Sequence, residues 1–371
     1  MARFLYILLV IVLFGVLIAI HEFGHFITAK LLGVKVNEFA IGMGPALWQS
    51  RKGKNEPWGN EGETLYSLRL FPIGGYCAME GEDEDTGDPR AFSRQKGWKK
   101  IIILCAGSFM NFLLGLVIMV ALALGVSQVS APIISGFMDG FALEGESGLM
   151  VGDRLLEIDG HAIWQHNDAF LYLDRNDGVS GVDLVVERDG QRIVLDDFPM
   201  TRAIETEENG RVVKKFGITI GQMEELSLPG RLRHGFLQTV DFVRIVWVSL
   251  GDLVTGRVAV SQLSGVIGVV DVVSEMGEQA QDQAQSALAG VLGVLSMMAL
   301  IAVNLAVMNM LPIPALDGGR IFFVLLNGLL FAVAKRRIPE KYEGYVHAGA
   351  FVVLLALMAV VALHDVWNIF A

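Results

Sequence analysis

The chain lacks the features of a secreted, disulfide-stapled protein and of a nucleic-acid binder. It has two cysteines in 371 residues, Cys77 and Cys105, both of which read as lying on the cytoplasmic or membrane side, so no disulfide is expected. It is short of positive charge: 29 Lys+Arg against 40 Asp+Glu leave a net charge of −11, which gives no electrostatic footprint for nucleic acid. Charged residues make up only 19% of the chain and hydrophobic ones 53%, the balance of a membrane protein rather than a soluble one. A cleavable signal peptide also fits poorly. The first apolar run is too long for one, only Arg3 precedes it, and no small-x-small site follows it.

What the chain does have is long apolar runs. Phe4 to Ile20 is 17 residues without a charge, and the helical pattern continues to Leu32. A span needs about 20 residues at roughly 1.5 Å each. Ile101 to Val126, Ala287 to Leu311 and Val346 to Leu363 are similar. A multi-span α-helical membrane protein with four transmembrane helices is therefore expected. Arg231 to Val260 has apolar residues at helical spacing, interrupted by Asp241, Arg244 and Asp252. It reads as an amphipathic helix on the membrane rather than a fifth span.

Residues 127–230 read as an inserted α+β domain. Val182 to Glu187 and Arg192 to Leu195 flank Asp189-Gly190, a hairpin signal. The expected parts are residues 1–126 (first span, β-loop region, second span), 127–230 (inserted domain), 231–286 (amphipathic segment) and 287–371 (last two spans). Residues 28–100 hold 11 Lys+Arg, whereas residues 127–286 hold 12 against 25 Asp+Glu. By the positive-inside rule the first segment is cytoplasmic and the insert outside. The acidic run Glu80 to Asp85 lacks EF-hand spacing and reads as a solvated loop, not a calcium site.

At the end of the first span stands His21-Glu22-Phe23-Gly24-His25. Helix positions four apart share a face, so His21 and His25 can offer two imidazoles to one metal ion, with Glu22 beside it. This is the zinc-protease arrangement, in which the glutamate takes a proton from the attacking water. A five-residue match can arise by chance, but each ionisable group in a bilayer costs about 2.5–3.5 kcal/mol on the most lenient scale, which argues against three idle ones. A catalytic zinc needs a third protein ligand. Asp317, in Asn309-Met310-Leu311-Pro312-Ile313-Pro314-Ala315-Leu316-Asp317-Gly318-Gly319-Arg320, is the candidate. Pro312 and Pro314 break the helix, and Gly318-Gly319 is expected to permit tight turns. Asn309 is a candidate donor to a substrate carbonyl or its developing oxyanion; helix–helix bonding is the alternative for it and for Asn304. A set of two histidines and one carboxylate can hold iron as well as zinc.

Together these motifs resemble the site-2 proteases, membrane-embedded zinc metalloproteases, and within them the regulator of sigma-E protease type. Asn309 to Gly318 resembles the family's Asn-x-x-Pro-x-Pro-x-Leu-Asp-Gly motif, and Phe71-Pro72-Ile73-Gly74-Gly75-Tyr76 its Pro-x-Gly-Gly-Tyr loop. Ala106-Gly107-Ser108-Phe109-Met110-Asn111-Phe112 resembles Ala-Gly-Pro-x-x-Asn-Phe, with Ser108 in place of proline. Leu263 to Val269 resembles Leu-Ser-Gly-Pro-Val-Gly-Ile. Ser147 to Gly160 resembles the core of a PDZ domain, in a single copy. The resemblance implies Zn²⁺ and cleavage of single-span membrane proteins within or near their transmembrane helix, commonly after a first protease has cut. Anti-sigma factors and remnant signal peptides are such substrates, and the bacterial inner membrane is the implied location. Thr64 to Ala78 reads as strand and turn that dips into the membrane and pairs with an extended substrate, with Leu68, Leu70, Gly74, Gly75 and Tyr76 the candidate residues. Two other readings stand beside this one: an adaptor that uses the PDZ-like domain and a structural metal, and a zinc-dependent transporter.

Overall fold

The computed structural model describes residues 2–51, 64–82, 86–175, 181–208, 211–258, 265–336 and 338–370. Asp83 to Asp85 of the acidic run and Leu263-Ser264 lie outside the described residues. The chain divides into two compact units, residues 123–238 and, on either side of them, 1–122 with 239–371.

The larger unit begins with helix α1 (Ala2–Leu31), which ends where Gly33 takes a φ of +81°. A glycine left-handed just past the last turn is a standard helix stop. Two long strands follow, β1 (Val36–Arg51) and β2 (Leu65–Met79), and then helix α2 (Gly97–Leu124). Both strands bend on themselves. Residues 38–41 pair with 78–75 running in reverse and with 65–68 running in the same direction, while 48–51 pair with 68–65. Four short runs thus lie side by side. The sequence shows β2 but conceals β1, whose alternation is cut at Gly42, Gly44 and Pro45. Gly42 and Gly44 take positive φ at that bend, a conformation that costs glycine little.

The smaller unit holds β3 (Gln128–Phe137), β4 (Arg154–Ile158), β5 (His161–Ala162), helix α3 (His166–Arg175), β6 (Val182–Arg188), β7 (Gln191–Phe198), β8 (Ile204–Glu208), β9 (Arg211–Lys215) and β10 (Ile218–Glu225). Its main sheet runs β10-β3-β4-β6-β7, with β5 on β4, and β8 pairs with β9. Asp189 and Gly190 both have positive φ, the backbone of a two-residue hairpin turn, and they join β6 to β7 where the Asp-Gly pair predicts. Leu155, Ile158, Leu173, Leu184 and Val186 form the centre of its core. The fully buried Asp153 is matched by Arg188, which donates from Nε and Nη2 at 2.7 Å each. A buried charge is tolerable only with such pairing.

The chain continues with α4 (Leu228–Val254), α5 (Val266–Ala284), α6 (Ala287–Asn309), α7 (Asp317–Ala334) and α8 (Glu340–Phe370). Among the described residues five helical stretches are long and apolar enough to cross a membrane: 3–31, 97–124, 287–309, 317–334 and 341–363. The sequence predicts four. The addition is α7, whose polar start, Asp317-Gly318-Gly319-Arg320, hides an apolar stretch of helix behind it. Neither α4 nor α5 is among the five.

In the larger unit α1 is central. One cluster joins Phe26 and Ala29 of α1 to Val36, Cys77, Met79, Ile103 and Leu104. Another joins Tyr6, Val10 and Leu17 to Val273 of α5 and to Val294, Met298 and Ala302 of α6. Lipid is as apolar as leucine, so close packing rather than water exclusion holds such helices together, and small residues permit it. A Cβ on Gly24 would stand 2.4 Å from Ala106 O, and one on Gly115 would stand 3.1 Å from Ala299 O.

Candidate metal centre

Helical spacing puts His21 and His25 on the face of α1 that meets α2, and both are buried. Their Nε2 atoms are 3.2 Å apart. Asp317 Oδ2 lies 3.2 Å from His21 Nε2 and 3.3 Å from His25 Nε2. The residues that the sequence singles out, separated by nearly the whole chain, therefore converge on one point.

The geometry fits a metal ion better than a hydrogen-bonded cluster. Ligands of a tetrahedral zinc ion at about 2.0–2.1 Å stand about 3.3–3.4 Å from one another, and the three donors form a nearly equilateral triangle of that size. His25 Nδ1 lies 2.9 Å from Ile103 O. A carbonyl can only accept, so Nδ1 carries the proton, and in the neutral ring Nε2 presents a lone pair. Asp317 Oδ2 is buried without a hydrogen-bond partner. Lone pairs facing each other at this distance, out of water, are unfavourable unless a cation sits among them. The donor set suits zinc, and a set of two imidazoles and one carboxylate leaves a fourth position open for water or substrate.

The supporting residues come from α2 and β2. Gly107 packs directly on the ligands: a Cβ there would stand 2.4 Å from His25 Nε2 and 2.8 Å from His21 Nε2. Asn111 of the same helix places its amide 3.4 Å from His21 Nδ1. The Glu22 carboxylate takes a hydrogen bond from the Cys77 backbone N–H, and a Cβ on Gly75 would lie 3.7 Å from Glu22 Cγ. The strand β2 thus runs past the glutamate. Asn309 Nδ2 stands 3.5 Å from His21 Nε2, beside the donor triangle and within reach of a group bound there. A cavity of about 390 Å³ is lined by Phe109 and Phe112 of α2, Trp247 of α4 and Val307 and Met310 around the end of α6.

Asp317 is delivered by a different construction. Helix α6 stops at Asn309 ahead of Pro312 and Pro314, and α7 starts at Asp317 itself. A carboxylate in a first helical turn is favoured by the free N–H groups there. Gly318 and Gly319 do not make the turns expected of them, since both lie in the first turn of α7. They are small because the incoming loop crosses them: Cβ atoms there would stand 2.2 Å from Leu311 O and 2.3 Å from Ile313 O. The conformational exception is Ala315, at φ +78°, and its N–H donates to His347 Nδ1 at 2.9 Å. His347 reads in the sequence only as a residue flanking the last span, so its part in holding this loop was not visible.

The strand-pairing residues divide. Leu68 has Ile41 on one side and Trp48 on the other, so no edge is left there for a substrate. This corrects the expectation for Leu68. Leu70 carries an exposed side chain. Gly75 and Tyr76 pair with Ile41 and Ala40 on one side only, and the other side of this run faces α1 near Glu22. Gly74 precedes them at φ +94°. Ser67 Oγ and Arg69 Nη2 donate to Glu38 at 2.6 and 2.8 Å, and Arg69 also reaches Tyr76 OH at 2.5 Å. Burial pushes the Glu38 carboxyl up, but the hydrogen bonds from Ser67, Arg69 and Tyr76 outweigh it and hold it below the usual carboxylate range.

Comparison with known proteins finds metalloproteases. Residues 9–357 match the model of peptidase family M50. A relative from Clostridium perfringens that is named as a zinc metalloprotease is 33% identical over 98% of each chain. The zinc metalloprotease RasP of Geobacillus kaustophilus is 25% identical over 97% of each chain. The regulator of sigma-W protease RasP of Bacillus subtilis is 25% identical over 97% of this chain and 98% of its own.

Proposed function

The chain belongs to peptidase family M50, the site-2 protease family of zinc metalloproteases, and from that premise we propose that it cuts peptide bonds within or near the transmembrane segment of single-span membrane proteins. The observation that carries this reading is the convergence of His21, His25 and Asp317 at 3.2–3.3 Å, reached from apolar helices. Zinc held by His21, His25 and Asp317 would supply a Lewis acid for the scissile carbonyl and for activating water near neutral pH. Glu22 takes the proton from the attacking water and hands it to the leaving amine. Asn309 donates to the carbonyl oxygen as charge develops on it.

A peptide bond in a helix is shielded by its own hydrogen bonds, so the substrate unwinds before it is cut. The run Gly75–Tyr76, just ahead of the Cys77 N–H that Glu22 holds, pairs with the extended substrate by strand addition. The Arg69–Glu38–Ser67 network braces Tyr76 in that run. The substrates are of the anti-sigma factor or remnant signal-peptide type, cut after a first protease. The protein lies in the bacterial inner membrane with the PDZ-like insert outside and the metal centre toward the cytoplasm, as the basic residues of the segment between the first two spans favour.

The test is Glu22→Gln in detergent-purified full-length protein, assayed for zinc content and for cleavage of a model single-span substrate. Zinc retained with cleavage lost by more than about 1000-fold is expected for removal of a general base in this chemistry. Full activity in the variant excludes the mechanism, and a zinc-bound wild type that cleaves no membrane substrate favours the adaptor reading. In the trapped variant, Tyr76→Cys is expected to crosslink to the substrate chain. Absence of that crosslink moves the contact elsewhere.

A further inference from the structure

Ile103, Gly107 and Asn111 are spaced four apart on α2, so they share one face of that helix. All three touch the imidazoles. Ile103 O accepts from His25 Nδ1, Gly107 leaves room for both rings, and Asn111 meets His21 Nδ1. His25 therefore has its outer nitrogen fixed by an acceptor. His21 needs the same if Nε2 is to face the metal, because a neutral imidazole carries one proton and Nδ1 must then hold it.

Asn111 is 1% exposed. Its Nδ2 is the atom turned toward His21 Nδ1, and its Oδ1 is buried without a hydrogen-bond partner. That arrangement pairs a donor with the nitrogen that must itself be a donor when the metal is bound. A half-turn of the amide exchanges two atoms of nearly the same size and turns an acceptor toward His21 Nδ1. The Nδ1–H of His21 then donates to Oδ1, and no buried acceptor is left unsatisfied.

We propose that Asn111 is the positioning residue of the zinc site, its Oδ1 accepting the Nδ1–H of His21 and thereby fixing the tautomer and ring orientation in which Nε2 faces the metal. Helix α2 then orients both histidine ligands, one through a backbone carbonyl and the other through a side chain. The backbone acceptor is available whatever residue stands at position 103. The side-chain acceptor makes position 111 chemically selective: it requires an oxygen at the end of a short side chain, and an apolar residue of equal volume fills the space without performing the task.

The experiment measures zinc retention by the detergent-purified full chain against graded chelator, for the wild type, Asn111→Leu and Asn111→Asp. Loss of an outer partner of a ligating histidine typically lowers metal affinity by about 10–100-fold, which is the effect expected for Asn111→Leu. Asn111→Asp keeps the acceptor and is expected to hold zinc at least as tightly as the wild type. Leucine within about twofold of the wild type overturns the proposal, and so does an aspartate variant that loses as much as leucine, since packing alone would then explain both. If the leucine variant does not fold, isotope-labelled histidine in the zinc-loaded wild type decides, because an unprotonated Nδ1 on His21 also overturns it. The inference rests on His21 as a zinc ligand and not on the substrate reading. A wild type that binds zinc and cleaves nothing defeats the proposed function alone.

Discussion

His21 and His25 stand on one continuous helix, four residues apart, with a second helix laid across them. Asp317 arrives after a helix break, behind two prolines and an alanine at positive φ. The first half of the site is fixed by helix geometry, which any sequence able to form α1 and α2 reproduces. The second half depends on how a short irregular segment is wedged against its surroundings. Irregular backbone at membrane depth is tolerable only where protein or a water-filled cavity satisfies it. A metal ion that needs donors from both halves therefore joins a rigid part to a part held by a few contacts, and substitutions in the two are expected to fail differently.

The largest effect is expected on the rigid side. Gly107→Ala places a methyl group 2.4 Å from His25 Nε2, far inside van der Waals contact. The neighbour is a packed imidazole rather than the free end of a flexible chain, so both rings are pushed from the metal position. Zinc content by atomic absorption is expected to fall by at least about 100-fold in affinity terms, beyond the range for loss of an outer partner, with cleavage lost in parallel. A Gly107→Ala protein that keeps stoichiometric zinc would show that the helix crossing yields, and that the contrast between the halves is false.

A smaller loss is expected on the other side. Gly319→Ala brings a Cβ to 2.3 Å from Ile313 O, but that carbonyl belongs to the irregular segment, which can shift. The displacement reaches Asp317 at the start of the same helix. Zinc affinity is expected to fall by about 10-fold, the lower end of the range for outer contacts, with His21 and His25 still bound. A cobalt-loaded sample should show the loss of one carboxylate ligand and not of a histidine. A loss equal to that of Gly107→Ala would mean that the two halves are equally rigid.

The sequence discloses these halves unequally, and the reason is physical. His21, Glu22, His25 and Asp317 are legible because ionisable groups beside lipid need partners, so their presence alone demands a cause. Gly107 and Asn111 pass unnoticed as site residues because a glycine and an asparagine in an apolar helix have ordinary explanations in close packing and helix–helix bonding. Their four-residue spacing on α2 could have found them, once His21 and His25 had set the same period on α1. Strand β1 was obscured by the glycines that bend it, and α7 by its four-residue polar start. In the smaller unit, by contrast, Asp189-Gly190 located a hairpin to within a residue, because a two-residue turn constrains its own sequence closely.

His347 offers the finest test of the comparison, since it is not one of the three donors and acts through the backbone ahead of Asp317. Its Nδ1 accepts from the N–H of Ala315, two residues ahead of Asp317, at the point where the backbone holds a φ of +78°. A non-glycine residue in that region costs of order 1–3 kcal/mol and persists only where its surroundings enforce it. His347→Ala removes one of those surroundings, and the segment is expected to relax toward ordinary φ values and carry Asp317 with it. The predicted result is a reduction of about 3- to 10-fold in zinc affinity, the worth of one hydrogen bond of about 0.5–1.5 kcal/mol. His347→Asn can offer its Oδ1 to the same N–H, and it should recover most of the loss. A matching pair of substitutions on α2 gives the contrast its edge: Gly107→Ala should not be rescued by any change at position 347. If His347→Ala leaves zinc binding untouched, the α6–α7 segment holds its shape unaided and is as preorganised as the helix pair it faces.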